Sequence, residues 1–112
     1  MRKLIVIALV VGCLGMLASV AMAASRSVKV GDDYYVRPSG VPVVTVSKGT
    51  TVAWRFRGNN PHSVTVSKGP RKFDSGVRSG GTYRKKLTRR GTYTIYCVVH
   101  GAANQKMKLR VK

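Results

Sequence analysis

Residues 91–100 read Gly91-Thr92-Tyr93-Thr94-Ile95-Tyr96-Cys97-Val98-Val99-His100. Tyr93-Thr94-Ile95-Tyr96 alternates with the period of a half-buried strand. The end of the stretch carries a thiol and, three residues on, an imidazole. Downstream, Met107, Leu109 and Val111 point one way while Lys106, Lys108, Arg110 and Lys112 point the other. That is a second strand, so Cys97 closes one strand and His100 sits in the connection to the next. The same alternation recurs upstream, where Val52, Trp54 and Phe56 interleave with Ala53, Arg55 and Arg57. Ser63-Val64-Thr65-Val66 repeats it, and Tyr83-Arg84-Lys85-Lys86-Leu87 does so imperfectly. Gly and Pro punctuate these runs at Lys48-Gly49, Asn60-Pro61, Lys68-Gly69-Pro70, Gly80-Gly81 and Arg90-Gly91.

Composition agrees. From Ala24 onward the chain holds 14 Val, 8 Thr and 5 Tyr against 2 Leu and 4 Ala. Branched and aromatic side chains suit a pleated, half-buried surface, whereas Leu and Ala suit helices. No window of helix length shows a 3.6-residue pattern. We place strands near 27–30, 34–36, 43–47, 51–57, 63–66, 82–87, 92–97 and 106–111, with residues 69–81 as an irregular crossover. Seven or eight short strands at this spacing predict an all-β, two-sheet sandwich.

The first 23 residues belong to a different class. Arg2-Lys3, the apolar run Leu4 to Val11 and the small-residue ending Ala21-Met22-Ala23 form a signal peptide. The expected domains are therefore a leader over 1–23 and one sandwich domain over 24–112. An uncut membrane anchor is the alternative, since Leu4 to Ala24 is 21 residues long. Val10-Val11-Gly12-Cys13 also resembles a weak lipoprotein box. All three readings put the body outside the cytoplasm: periplasmic, at the cell surface or secreted. A body of 89 residues buries roughly 60–65% of its unfolded surface and has little room for an enclosed active site. Its only acids are Asp32, Asp33 and Asp74, so paired-carboxylate catalysis is poorly supplied. An enzyme is not expected.

Export gives the cysteine count a meaning. Cys97 is the one cysteine left after the leader, so it has no internal disulfide partner. Alone it would be a small buried hydrophobe. The body also holds two histidines, His62 and His100. A thiolate with two imidazoles is the equatorial ligand set of a trigonal blue-copper site. A metal would keep the thiol deprotonated in an oxidising compartment. Tyr93 reads as a structural tyrosine at a corner of the sandwich, and Trp54 as core.

Four ordered segments resemble the cupredoxins, particularly their small plastocyanin-like branch, over nearly all of 24–112. They are Gly49-Thr50-Thr51-Val52-Ala53-Trp54, Asn59-Asn60-Pro61-His62-Ser63-Val64, Phe73-Asp74-Ser75-Gly76, and Gly91 to His100. The resemblance implies a Greek-key β-sandwich with one mononuclear copper at one end, used for one-electron transfer. It also implies His62, Cys97 and His100 as ligands, with the outer edge of His100 as the electron exit. Gly101, Ala102 and Ala103 fit a flat docking surface around that histidine. The chain departs from the pattern at the axial position, where the family usually has Met. Gln105 stands there in an ungapped alignment and is the expected fourth ligand, favouring Cu(II) and lowering the potential. Met107 or an open position is the alternative. A second departure is Ser63, where plastocyanins often have Asn helping to hold the thiolate.

The remaining feature is charge. The body carries 19 Lys and Arg against 3 Asp, a net +16. Lys106, Lys108, Arg110 and Lys112 stand in a row about 7 Å apart, with further clusters at Arg84-Lys85-Lys86, Arg89-Arg90 and Arg71-Lys72. These would guard a sheet edge or steer a monomer to an acidic redox protein or an anionic cell-envelope surface. Export and the lack of an aromatic-studded basic groove exclude nucleic acid as the physiological partner. The expected function is an exported electron-transfer protein. The alternatives are a copper module for storage, delivery or sensing, or a basic adhesion domain with structural copper.

Overall fold

The computed structural model describes residues 24–112; the expected leader, 1–23, lies outside the described residues. Eight strands follow in chain order: β1 (Ser25–Gly31), β2 (Tyr34–Tyr35), β3 (Val43–Val46), β4 (Thr51–Phe56), β5 (Thr65–Lys68), β6 (Thr82–Lys86), β7 (Gly91–Tyr96) and β8 (Lys106–Val111). They form two four-stranded sheets, ordered β2-β1-β4-β6 and β3-β8-β7-β5. Only β1–β2 and β7–β8 join sequence neighbours within one sheet; every other connection crosses between sheets. The pairs β1/β4 and β3/β8 are therefore parallel, while β4/β6, β5/β7 and β7/β8 are antiparallel. This is the all-β, two-sheet sandwich with eight strands that the periodicity predicts.

The alternation sets which side chains meet between the sheets. From one sheet come Val28 and Val30 of β1 and Val52, Trp54 and Phe56 of β4, all buried. From the other come Val44 and Val46, Val66, Tyr93 and Ile95, and Met107, Leu109 and Val111. Lys108 and Arg110 on the opposite face of β8 are exposed. Trp54 is wholly buried, with ring centroids 5.8 Å from Phe73 and 6.0 Å from Tyr83. Tyr93 donates its hydroxyl to the carbonyl of Arg89 at 2.8 Å, the kind of contact a structural tyrosine makes. Its ring packs on the Cα of Gly69, where a Cβ would come within 2.7 Å of Tyr93 Cδ2.

Most strand ends fall within two residues of the sequence expectation, and the start of β5 is the difference that bears on the site. His62, Ser63 and Val64 precede β5 instead of opening it. The pairing of β5 with β7 begins at Thr65 opposite Tyr96. His62 instead exchanges both backbone hydrogen bonds with Arg78, in the 69–81 crossover, at 3.0 and 2.9 Å. Val64 N–H donates to Ser75 Oγ at 2.8 Å. Alternation locates the apolar face but carries no information about which partner closes the backbone.

Three segments meet at one pole. They are the Asp32-Asp33 turn between β1 and β2, the stretch 57–64 after β4, and the loop 97–105 between β7 and β8. At the other pole the turns near residues 47–50 and 87–91 meet, with Gly49 N–H donating to Leu87 O at 2.7 Å.

Candidate metal centre

Each donor is held by its own element. Cys97 follows β7, and its N–H donates to Gln105 O at 3.2 Å, so the β7–β8 loop is closed at its base. Within that loop Gly101 N–H donates to Cys97 O at 2.8 Å, and Gln105 N–H to Gly101 O at 3.0 Å. Gly101 takes φ +82°, the left-handed conformation that reverses the chain just past His100. Asn104 Nδ2 donates to His100 O at 2.9 Å. His62 is fixed by its two-bond bridge to Arg78.

These supports bring the three sequence-predicted equatorial donors together. His62, Cys97 and His100 each offer one donor atom, and the three atoms lie within 4.8 Å of one another. Cys97 Sγ is 3.5 Å from His100 Nδ1 and 4.0 Å from His62 Nδ1. Both imidazoles thus turn the same nitrogen inward. Cys97 and His62 are fully buried, while the His100 side chain is 23% exposed. The rings sit 4.8 Å apart at 36°.

Gln105 is also in place. It is buried, and its Oε1 lies 2.9 Å from His62 Nδ1. Its Nε2 donates to Tyr34 O at 3.0 Å and Gly31 O at 3.4 Å. Two backbone acceptors on one side hold the NH₂ there, so the amide oxygen is the end aimed at the cluster. Met107, the alternative, is a core side chain whose residue pairs with Ile95 across β7–β8.

Ser63 supplies a cross-link in place of the familiar Asn. Its buried Oγ accepts from Val98 N–H at 3.0 Å and lies 2.8 Å from Thr65 Oγ1. The segment bearing His62 is thereby tied to the residue after Cys97. Tyr35, wholly buried, donates its hydroxyl to Ser63 O. Burial, with the nearby Cys97 adding to it, pushes the Tyr35 phenol well above the ordinary range.

The sequence reading did not place Asp32 and Asp33 here. Asp32 Oδ1 lies 2.9 Å from His62 Nε2, and Asp33 Oδ1 lies 3.1 Å from His100 Nε2. The Asp32 carboxylate also accepts the N–H groups of Asn59 and Asn60, each at 3.0 Å. Its pKa falls to about 2, held down first by the hydrogen bond from His62 and then by Asn59 and Asn60. The signal was available in the composition: a body of +16 keeps three acids, and two of them are adjacent.

The donor chemistry fits copper. A soft thiolate and two imidazoles with a weak fourth donor select a copper site over the oxygen-rich sets of calcium or magnesium. The outer surface around it is small and weakly polar. Val98 and Val99 are 44% and 48% exposed, and Ala102 and Ala103 are also exposed beside His100.

No family model matches the chain. A plastocyanin of Prochlorothrix hollandica is 30% identical over 105 residues, covering 87% of this chain and 80% of the relative. A mutant plastocyanin of a fern superposes with a TM-score of 0.62 at 27% identity, covering 77% of this chain and 99% of the fern protein. The Cu(I) form of an amicyanin mutant superposes with a TM-score of 0.65 at 26% identity, covering 85% of this chain and 88% of its own.

Proposed function

The chain belongs to the cupredoxins, in their plastocyanin-like branch, and from that premise we propose that it is an exported carrier of single electrons. It is a type 1 copper protein with a His-Cys-His site. The observation that carries the function is the convergence of three donor atoms within 4.8 Å from positions 62, 97 and 100.

His62 Nδ1, Cys97 Sγ and His100 Nδ1 would hold the copper, with Gln105 Oε1 as the fourth donor. Bound copper supplies a one-electron Cu(II)/Cu(I) couple. The rest is the protein's contribution. Ser63 holds the two ligand segments against each other through Val98 N–H. The Arg78 bridge and the closed 97–105 loop resist movement of the donors, so they would hold a bound ion in much the same way in either oxidation state. Burial of Cys97 and His62 excludes water from the thiolate. The partly exposed edge of His100, on a loop whose Val98, Val99, Ala102 and Ala103 are also exposed, is the exit to a redox partner. The proposed role is that of a carrier and not an enzyme, because a bound copper would occupy the thiol and both imidazoles.

Charge supports an acidic partner or an anionic envelope surface met by a monomer. Arg71, Lys72, Lys85 and Lys86 line a cleft of about 320 Å³ over Leu87, Thr88 and Tyr93. The ion pairs among the described residues are both His–Asp contacts, so no carboxylate neutralises these cations. The leader argues for a place outside the cytoplasm. Among the described residues no helix is long and apolar enough to cross a membrane.

Cu(II) added to metal-free protein is expected to produce an intense visible thiolate-to-copper band, absent in Cys97→Ala. Voltammetry is expected to be reversible. A colourless complex would overturn the copper site, and loss of the ion on each reduction would favour copper delivery over electron transfer.

A further inference from the structure

Asp32 and Asp33 occupy the two-residue turn of the β1–β2 hairpin, closed by the pairing of Gly31 with Tyr34. In a body with 19 basic residues, carboxylates would be expected to pair with Lys or Arg. Among the described residues the close contacts of Asp32 and Asp33 with basic side chains instead join these two acids to the outer nitrogens of the two imidazoles. We infer that Asp32 and Asp33 are positioning residues that hold His62 and His100 by their outer nitrogens, and that Asp33 selects the tautomer of His100 that presents its Nδ1, unprotonated, to the metal. This rests on the copper function proposed above.

The physical basis is the donor inventory of imidazole. A neutral ring carries one N–H, and a carboxylate can only accept. Asp33, 3.1 Å from Nε2 of His100, therefore favours the proton on Nε2 and leaves the lone pair on Nδ1, whereas His62 faces an acceptor at each nitrogen, Asp32 Oδ1 at Nε2 and Gln105 Oε1 at Nδ1, each 2.9 Å away. On both rings Nδ1 is the atom that faces Cys97 Sγ. The carboxylates are themselves seated. Asp32 takes two backbone N–H groups, and its Oδ1 fills the place where a Cβ on residue 58 would stand, which Gly58 leaves open. Asp33 adopts φ +68°, a left-handed conformation that Asp and Asn tolerate better than other side-chain-bearing residues.

The two acids differ in exposure. The Asp32 side chain is 35% exposed against a buried ring, and Asp33 is 61% exposed over the half-covered edge of His100. Asp33 is thus the charged group that an incoming redox partner meets at the exit edge. It is also the cleaner one to change, since it caps no backbone N–H groups of the 57–64 stretch.

The test uses nitrogen NMR of the metal-free protein, at a pH where both imidazoles are neutral, together with a competition titration of Cu(II) affinity. Wild-type protein is expected to show His100 as a single Nε2–H tautomer. Asp33→Gly, which keeps the left-handed backbone, is expected to mix the tautomers and weaken Cu(II) binding about 10- to 100-fold. Asp33→Asn retains an acceptor oxygen without the charge, and should restore the tautomer and part of the affinity. Unchanged tautomer and affinity in Asp33→Gly would overturn the inference while leaving the visible band, and so the copper function, intact. Failure of wild-type protein to form that band would sink the copper function. The metal-free NMR would still decide what Asp33 does.

Discussion

The amide oxygen of Gln105 lies 2.9 Å from Nδ1 of His62, on the ring edge that faces Cys97. It is presented there because Nε2 of the same amide is bound to the carbonyls of Tyr34 and Gly31. A harder oxygen donor at the axial position stabilises Cu(II) relative to Cu(I).

Gln105→Met should therefore raise the reduction potential. A tenfold fall in preference for Cu(II) over Cu(I) corresponds to about 59 mV for a one-electron couple. The substitution also strips both carbonyls of their donor, so metal-free protein should lose about 1–3 kcal/mol in urea unfolding. An unmoved potential would remove Gln105 from the ligand set.

Ser63→Ala removes the acceptor of Val98 N–H. A cost of about 1 kcal/mol is expected from the lost hydrogen bond. The more telling effect is on the ligands, because Ser63 ties the His62 segment to the residue after Cys97. Faster copper release from Ser63→Ala, with a band of nearly unchanged position, would show that the hydroxyl restrains the loop. Wild-type release kinetics would count against that role.

Tyr93→Phe separates structure from redox chemistry. The hydroxyl spans to Arg89 O at a corner, so its loss should destabilise the fold by about 1 kcal/mol, seen as a lowered Tm. The potential and the electron-transfer rate should stay at wild-type values. A slowed rate in a fully folded variant would assign Tyr93 to the electron path.

The charge distribution predicts salt-sensitive association. Screening reaches about 10 Å at 0.1 M salt, so exposed lysines and arginines should lose most of their pull on an anionic vesicle or an acidic redox protein as salt rises. Lys85→Glu with Lys86→Glu should weaken binding at low salt and leave the visible band untouched. Salt-independent binding would reject electrostatic steering.

Much of the sandwich was legible along the chain because its information is local. Val52, Trp54 and Phe56, or Met107, Leu109 and Val111, declare a buried face by a period of two, and the glycines mark where it stops. Cys97 and His100 were equally plain, being three residues apart. His62 was legible by residue type, as the second of two histidines in a body with one thiol. Its local backbone was not: the alternation of residues 63–66 suggests a strand, yet His62 closes its hydrogen bonds on Arg78 in the crossover.

What the chain settled by itself was the class of fold, the candidate donors and the sign of the charge, since each depends on residue type and short-range order. Folding decided the rest. The crossing of β4 to β5 between sheets carries the 57–64 stretch to the pole where the 32–33 turn of the β1–β2 hairpin and the 97–105 loop lie. Asp32, Asp33, Tyr35 and Ser63 acquire their roles only there. Backbone hydrogen bonding and burial across the sandwich choose their neighbours, and those forces act between residues 28 to 67 positions apart in the chain.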